Sequence, residues 1–350
     1  MRKVAVGGGI ILVLGGVFLY LWLTRIPTNV AYVTEEDGGL SVIDLSRLAV
    51  VKRVHPNDVA PRGLGLTFDG RYLVTANKDS ADMTVFDTRG LRLDLRRQIQ
   101  LGDNPEFIKM LPTGRWLFTS FEPGSAGGPP AEEQNEENEK PSEIVSFSVP
   151  DWSRGTVFTA GKETEGLEFS SDGTLLIVAN EAQDNLGIFN TGTGQLVKSL
   201  DLSTYGKRPR GVKRSPAGDS YAVTMEGSGT LLLLDRDFHV GKMAMTAAKP
   251  YGVAFDRSGK RIFVAAATAR KLQVYLADSL QLVAETPIGQ RCWHFTFTPD
   301  DSKLLVACGR SNNVYVIDAN SYQPIKVIGG FQTPWGILTY PRAFGSLGLP

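Results

Sequence analysis

A unit of four short strands, about 42 residues long, recurs seven times along this sequence and takes up nearly all of it. The clearest copy has apolar runs at residues 253–255, 262–265, 272–275 and 282–284, with an Asp-Arg-Ser-Gly turn after the first run. Each run is rich in β-branched and aromatic residues and is bounded by Gly, Pro, Asp or Ser, which is typical of β-strands. Short strands repeated at this period predict a β-propeller with one blade per unit.

Two elements of the unit can be followed through all seven copies. The opening triplet occurs at residues 61–63, 105–107, 164–166, 209–211, 250–252, 292–294 and 334–336. The second strand occurs at residues 32–34, 73–75, 117–119, 177–179, 222–224, 263–265 and 305–307. Seven copies of both elements predict seven blades.

The two ends of the repeat are complementary. The repeat begins at a second strand, residues 31–34, and ends with a spare opening strand, residues 334–340. If this last strand completes the first blade, no sheet edge is left exposed in the ring. The predicted fold is therefore an all-β, seven-bladed β-propeller closed by a C-terminal strand. An open array of β-sandwiches is the alternative.

The N-terminus departs from globular composition. Residues 4–23 carry no charge and are long enough to cross a bilayer as a helix. Arg2 and Lys3 favour a cytoplasmic N-terminus, which would put the propeller on the periplasmic or extracellular side of the cytoplasmic membrane. A cleaved signal peptide is the alternative, but residues 23–27 lack the small residues of a cleavage site.

This divides the chain into a membrane anchor at 1–27, a propeller at 28–342 and a tail at 343–350. An acidic insertion of loop or disordered composition, at about 123–142, lies between the second and third strands of the third blade. It is a partner-docking arm, a lid or a plain solvated loop. The 37 basic and 37 acidic residues balance, so no basic surface indicates nucleic-acid binding.

Only two cysteines are present. Cys292 begins one opening strand and Cys308 ends the next strand, so the two positions are antiparallel neighbours. A disulfide depends on the register. We expect two free, half-buried thiols as the simpler outcome.

The middle residues of the opening triplets should form a ring around the central channel, because first strands begin and second strands end on the same face. Arginine suits carboxylates and phosphates, and large aromatic side chains suit a flat conjugated ligand. We therefore predict a ligand- or partner-binding site on this funnel face, although bulky residues could equally plug the channel. Its residues are Arg62, Glu106, Glu165, Arg210, Tyr251, Trp293 and Trp335, with His294 beside them.

Familiar catalytic motifs are absent from the sequence, so we predict no catalytic residues. A metal site could be built from His55 and His294 with Asp58 and Glu165, but their spacing is scattered. No cofactor is identified beyond the suitability of the ring for a flat conjugated molecule.

The triplets, the Asp-Gly turns and runs such as Val-Tyr-Val-Ile-Asp at 314–318 resemble the YVTN-type propeller repeat over about residues 30–342. Residues 289–300 and 311–318 look most like the branch found with pyrroloquinoline quinone (PQQ)-dependent alcohol oxidation systems. The resemblance implies a propeller, and the wider group also includes haem d1-type propellers, lactonases and surface layer proteins.

These features lead to two functional hypotheses. The first is a membrane-anchored binding or scaffold module that is accessory to a periplasmic redox or cofactor system and docks to a membrane or periplasmic complex. The alternative is a cofactor carrier or an enzyme that uses the funnel ring.

Overall fold

The computed structural model describes residues 25–55, 60–123 and 140–349. The predicted membrane anchor and most of the acidic insertion lie outside these ranges, as does Asp58. Within the described ranges, no helix has the length and apolar character needed to cross a membrane.

The described chain forms seven four-stranded antiparallel sheets. The first blade contains β1 (Val30–Glu35), β2 (Gly39–Asp44) and β3 (Ala49–Val54). The second contains β4 (Pro61–Leu66), β5 (Tyr72–Asn77), β6 (Asp82–Asp87) and β7 (Asp94–Gln100). The third contains β8 (Pro105–Met110), β9 (Trp116–Phe121), β10 (Glu143–Ser148) and β11 (Arg154–Thr159). The fourth contains β12 (Thr164–Phe169), β13 (Leu175–Asn180), β14 (Asn185–Asn190) and β15 (Leu196–Asp201).

The remaining blades continue the same order. The fifth contains β16 (Pro209–Arg214), β17 (Ser220–Met225), β18 (Thr230–Asp235) and β19 (Val240–Met245). The sixth contains β20 (Pro250–Phe255), β21 (Arg261–Ala266), β22 (Lys271–Leu276) and β23 (Leu282–Pro287). The seventh contains β24 (Cys292–Phe297), β25 (Lys303–Cys308), β26 (Asn313–Asp318) and β27 (Pro324–Gly329). β28 (Pro334–Tyr340) returns to the first blade, and short 3-10 helices lie at Arg89–Leu91, Glu181–Gln183 and Gly309–Ser311.

The closure predicted from the sequence is confirmed. β28 pairs antiparallel with β1, with Val30 opposite Tyr340 and Val33 opposite Ile337, so the first blade has the order β28-β1-β2-β3. The innermost strands of successive blades contact one another around the whole ring, including β24 with β28 and β28 with β4. The alternative of an open array is therefore wrong.

Burial falls from the axis to the rim. β4, β8, β12, β20 and β24 are buried along their whole length, whereas the outermost strands, such as β7 and β27, are mostly exposed. The core is thus made of side chains that pack between the faces of neighbouring blades, as sheet packing requires.

The turns after the first strands explain the recurrent glycines. In five blades the fourth turn residue is Gly70, Gly114, Gly173, Gly218 or Gly259, and each has a φ between 69° and 75°. Glycine adopts this left-handed conformation without the steric cost of a Cβ. Its amide donates to the carbonyl of the first turn residue, as Gly70 does to Thr67 at 2.9 Å.

The expectation of two free thiols is wrong. Cys292 and Cys308 lie directly opposite each other in the β24–β25 pairing and form a disulfide. Both residues are fully buried. The register, which the sequence left open, puts the two side chains next to each other.

Candidate functional site

All seven middle residues of the opening triplets line one cavity on the predicted face. This cavity, here called the funnel, holds about 1020 Å³ of space. Six of the seven residues are buried, and Arg210 is the more exposed exception. The ring therefore packs the channel as well as forming the funnel wall, so the plug and the ligand-site interpretations are compatible.

The same local geometry directs each ring residue toward the axis. Each first strand is entered through a non-glycine residue with positive φ: Ala60, Asn104, Glu163, Arg208, Lys249, Arg291 and Thr333. The pairing register with the second strand then shifts at the triplet, as between Pro105 and Ile108. Such a β-bulge re-aims the side chain that it contains.

Ten funnel residues were not singled out from the sequence. They come mainly from the positive-φ positions and from the residues just after the second strands. They are Glu36, Lys78, Asn104, Glu122, Glu163, Glu181, Arg208, Arg291, Arg310 and Thr333. The repeat alignment contains the signal for most of them, because both positions lie at constant offsets from the triplets.

Arg210 is the centre of an ion-pair network. Its guanidinium contacts Glu165 at 2.9 Å, Glu181 at 2.7 Å and Glu226 at 2.8 Å. It also lies 4.0 Å from the ring centroid of Tyr251, a cation–π distance. These contacts link blades four, five and six at the ring.

A second network is built on Arg62. Its guanidinium contacts Glu36 at 2.7 Å and Glu106 at 2.5 Å, and it donates to the side-chain oxygen of Asn104 at 3.1 Å. The amide nitrogen of Asn104 in turn donates to Glu122 at 2.5 Å. Blades one to three are linked in this way at the funnel floor.

Several funnel carboxyls have raised pKa values. Burial, reinforced by the charge of Glu106, raises the pKa of Glu122 to about 8. Burial also raises the pKa of Glu181 to about 7, against the opposing effect of Arg210. Burial raises the pKa of Glu165 well above its usual value although Arg210 is adjacent. The funnel therefore holds carboxyls that exchange protons near neutral pH.

Two carboxylates of the funnel lack part of their hydrogen bonds. Oε2 of Glu106 and Oε2 of Glu165 are buried and find no hydrogen-bond donor among the described residues. The side chains as a whole are only 5% and 8% exposed. A buried acceptor without a donor costs free energy, so both oxygens favour a ligand that can donate a hydrogen bond.

The wall contributed by the seventh blade is aromatic and basic. The guanidinium of Arg291 lies 5.4 Å from the ring centroid of Trp293, and its Nε finds no acceptor. Arg310 also lines the funnel. In the described part of the chain, neither arginine forms an ion pair with a carboxylate.

His294 does not line the funnel. It lies behind the ring in a smaller cavity of about 480 Å³, which Phe107, Leu167 and Leu347 also line. Its Nδ1 is 3.1 Å from Oγ of Ser346. Burial and the charge of Arg210 lower the pKa of His294 to about 3, so the imidazole is neutral. Five ring residues also line this smaller cavity, and a part for His294 in binding stays a prediction; they are Glu165, Arg210, Tyr251, Trp293 and Trp335.

The tail closes the far end of this smaller cavity. The amide of Phe297 donates to Phe344 at 2.8 Å, and the amide of Ser346 donates to Phe295 at 3.0 Å. The carbonyl of Gly348 accepts from Lys213 at 2.8 Å. Residues 343–349 are thus bound into the channel.

The other histidines lie apart. His55 contacts the carbonyl of Gly38, and His239 pairs with Asp235 in an exposed turn. Within the described ranges, no group of three or more His, Cys, Asp and Glu side chains is placed to hold a metal ion.

Comparison with known proteins supports the propeller. A family model described as lactonase, 7-bladed beta-propeller, matches residues 153–254. The 6-phosphogluconolactonase of Bacillus subtilis (strain 168) is 29% identical over 101 residues, 27% of this chain and 29% of that protein. Hydrazine synthase subunit beta of Kuenenia stuttgartiensis is 23% identical over 292 residues, 80% of this chain and 59% of that protein. The chain thus spans less than two thirds of either curated relative.

Solved structures show the same fold at low identity. A functionally unknown protein from Desulfotomaculum acetoxidans has a TM-score of 0.76 and 13% identity, covering 89% of this chain and 98% of its own. The periplasmic gluconolactonase PpgL of Pseudomonas aeruginosa has a TM-score of 0.70 and 17% identity, covering 91% and 99%. The dihydro-haem d1 dehydrogenase NirN has a TM-score of 0.65 and 16% identity, covering 90% and 76%.

These matches give no support to the PQQ-associated branch and do not specifically show the YVTN repeat. They agree with the seven sheets of the structure and with the sequence repeat. The chain is a seven-bladed β-propeller whose residues 153–254 are similar to the lactonase-type propeller.

Proposed function

We propose that the funnel binds a small cyclic acid and that the propeller works outside the cytoplasm. The observation that carries the proposal is the pair Arg291 and Arg310, which line the funnel beside Trp293 and Trp335 and have no carboxylate partner in the described chain. Unpaired guanidinium groups favour a carboxylate or phosphate, and indole faces favour a flat ring. A ligand with both features matches this wall.

Two features support the location. The Cys292–Cys308 disulfide is of the kind that persists in oxidising compartments and is rare in the cytosol. The charge-free segment 4–23, which lies outside the described residues, has the length of a membrane-spanning helix. Both features support an anchored propeller on the outer side of the cytoplasmic membrane. The same proposal makes the propeller an accessory to a redox or cofactor system that docks to a membrane complex.

The test is a ligand titration with the full-length protein. PQQ and haem, which both carry carboxylates on a flat ring system, are titrated by calorimetry against wild type and against the double variant Arg291→Gln with Arg310→Gln. At least one acid should bind wild type, and the double variant should bind it about tenfold or more weakly, because charge-assisted hydrogen bonds are lost.

The matched control is Arg236→Gln, since Arg236 is exposed in the turn between β18 and β19 and lies outside the funnel. It should bind like wild type. Failure of every acid to bind, or equal binding by the double variant, would count against the proposal.

Lactone hydrolysis is a second candidate function, because the segment that matches the lactonase model also contributes charged residues to the funnel. The segment that matches the lactonase model, residues 153–254, supplies Glu165, Glu181, Arg208 and Arg210 to the funnel. A carboxylate with a pKa of about 7 can take a proton from an attacking water, and an adjacent arginine can stabilise the oxyanion that forms on the lactone carbonyl.

This second candidate predicts acid release from glucono-δ-lactone above the spontaneous rate, followed in a pH-stat. Glu181→Gln should lower that rate by about a hundredfold or more, since general-base catalysis contributes about that factor. A rate equal to the spontaneous one would leave only the binding function.

A further inference from the structure

The funnel has walls of opposite character on opposite sides. The innermost strands follow one another around the ring in chain order, so the seventh blade faces the third and fourth. The seventh blade contributes Arg291, Trp293 and Arg310 to the funnel. The third and fourth blades contribute the carboxyls Glu106, Glu122, Glu163, Glu165 and Glu181.

The acidic wall has more carboxyls than its cations can satisfy. Arg62 pairs with Glu106, Arg208 pairs with Glu163 and Glu181, and Arg210 pairs with Glu165 and Glu181. Even so, Oε2 of Glu106 and Oε2 of Glu165 find no donor in the described chain, although each side chain is more than nine-tenths buried. A buried acceptor without a donor favours a ligand group that can donate to it.

Among organic functional groups, an ammonium supplies three donors and a positive charge at one point. On the opposite side, the guanidinium groups of Arg291 and Arg310 have no carboxylate partner in the described chain and favour an anion. The indole rings of Trp293 and Trp335 favour a flat ring between the ammonium and the anion of the ligand. We infer that the ligand is a zwitterion with an ammonium group and a carboxylate at opposite ends of a ring, the ammonium bound by Glu106 and Glu165. This rests on the proposed function and adds the amine to it.

Binding of the ammonium should release protons. Glu165 faces Arg210, Glu106, Glu122 and Glu181, and Glu122 faces Asn104 and Glu106; burial and the neighbouring carboxylates raise the pKa of both groups. A cation placed beside such carboxyls favours their ionised form and lowers their pKa. Protons held near neutral pH in the free protein are therefore displaced.

The probes are 4-(aminomethyl)benzoate, 4-methylbenzoate, which lacks the amine, and benzylamine, which lacks the acid. All three are titrated calorimetrically into the full-length protein, in two buffers of different ionisation enthalpy at neutral pH. We expect 4-(aminomethyl)benzoate to bind about tenfold or more tightly than either analogue, because each lacks one charged contact. Only the two amines should release protons on binding.

Variants locate the amine contact. In Glu106→Gln, 4-(aminomethyl)benzoate should no longer bind more tightly than 4-methylbenzoate, which is measured as the ratio of their two dissociation constants. Glu165→Gln serves the same purpose if Glu106→Gln does not fold. Glu285→Gln is the control, since Glu285 pairs with Lys271 on an outer strand, and it should still bind 4-(aminomethyl)benzoate more tightly.

The outcomes separate this inference from the proposed function. Equal affinity for 4-(aminomethyl)benzoate and 4-methylbenzoate, without proton release, would contradict the inference of a zwitterionic ligand. Binding of PQQ or haem but of none of the three probes would do the same. The proposal that the funnel binds a cyclic acid would still stand. If no compound in either set binds, both proposals fail.

Discussion

Removal of residues 334–350 is expected to abolish cooperative folding of the propeller. The deletion takes away β28, which is the innermost strand of the first blade and pairs with β1 along its length. It also removes buried side chains, including Trp335, Ile337 and Leu338. β1 would then be an unpaired strand edge next to an open core, which favours aggregation. Circular dichroism melting and light scattering of the purified protein would show this.

The matched control is the shorter deletion of residues 341–350. It keeps β28 but removes the tail that binds Phe295, Phe297 and Lys213. This variant should unfold cooperatively at a lower temperature than wild type. If the longer deletion melts like wild type, the ring is not closed by β28.

Glu168→Gln is expected to lower the free energy of unfolding by about 3–5 kcal/mol, the usual cost of leaving buried charges without their partner. The Glu168 carboxylate lies 3.0 Å from Nζ of Lys109 and 3.5 Å from Nζ of Lys213. Burial and the charge of Lys109 lower the pKa of Lys213 well below its ordinary value. All three side chains are buried, at 1%, 8% and 0% exposed. Denaturant unfolding of wild type and variant measures the difference.

A compensating change tests the cause. Glu168→Gln combined with Lys213→Met removes the buried amine of Lys213 together with the carboxylate, so part of the lost stability should return. A loss below about 1 kcal/mol for Glu168→Gln alone would be typical of an ordinary surface ion pair and would contradict the buried cluster.

The same cluster predicts that the protein loses folding stability at low pH. Burial by itself raises the pKa of Glu168, but Lys109 and Lys213 hold it at about 2, below its ordinary 4.5. A carboxyl with a lowered pKa in the fold stabilises it fully above pH 4.5, and this contribution is lost as the pH falls toward 2. The wild-type protein should lose stability in that window more steeply than Glu168→Gln.

The contacts of Arg210 change the expected stability of its alanine variant. Water access at a channel mouth would make Arg210→Ala a mild change. Instead, Arg210 holds three carboxylates and stacks on Tyr251, so its removal should destabilise the ring as well as any site. Arg291 and Arg310 are the better probes of binding, because neither is ion-paired in the described chain.

The sequence alone determined the number of blades, their order and the position of the ring. This was possible because each blade is a local unit of four consecutive strands, so turn residues and apolar alternation recur at constant offsets. The same offsets placed Arg62, Glu106, Glu165, Arg210, Tyr251, Trp293 and Trp335 around one funnel, where the structure has them. The complementary ends of the repeat likewise predicted that β28 would close the first blade.

Tertiary structure decided which of these groups interact. The Arg210 network joins side chains of blades four, five and six, and the basic wall faces the acidic wall across seven blades; neither follows from separation along the chain. The disulfide depended on the exact β24–β25 register. The β-bulge at this triplet puts Trp293 in the funnel and leaves the next side chain, His294, behind the ring, against Ser346 of the tail. A periodic pattern specifies the backbone position of each side chain. The groups that the side chain contacts are set by the packing of distant segments around the axis.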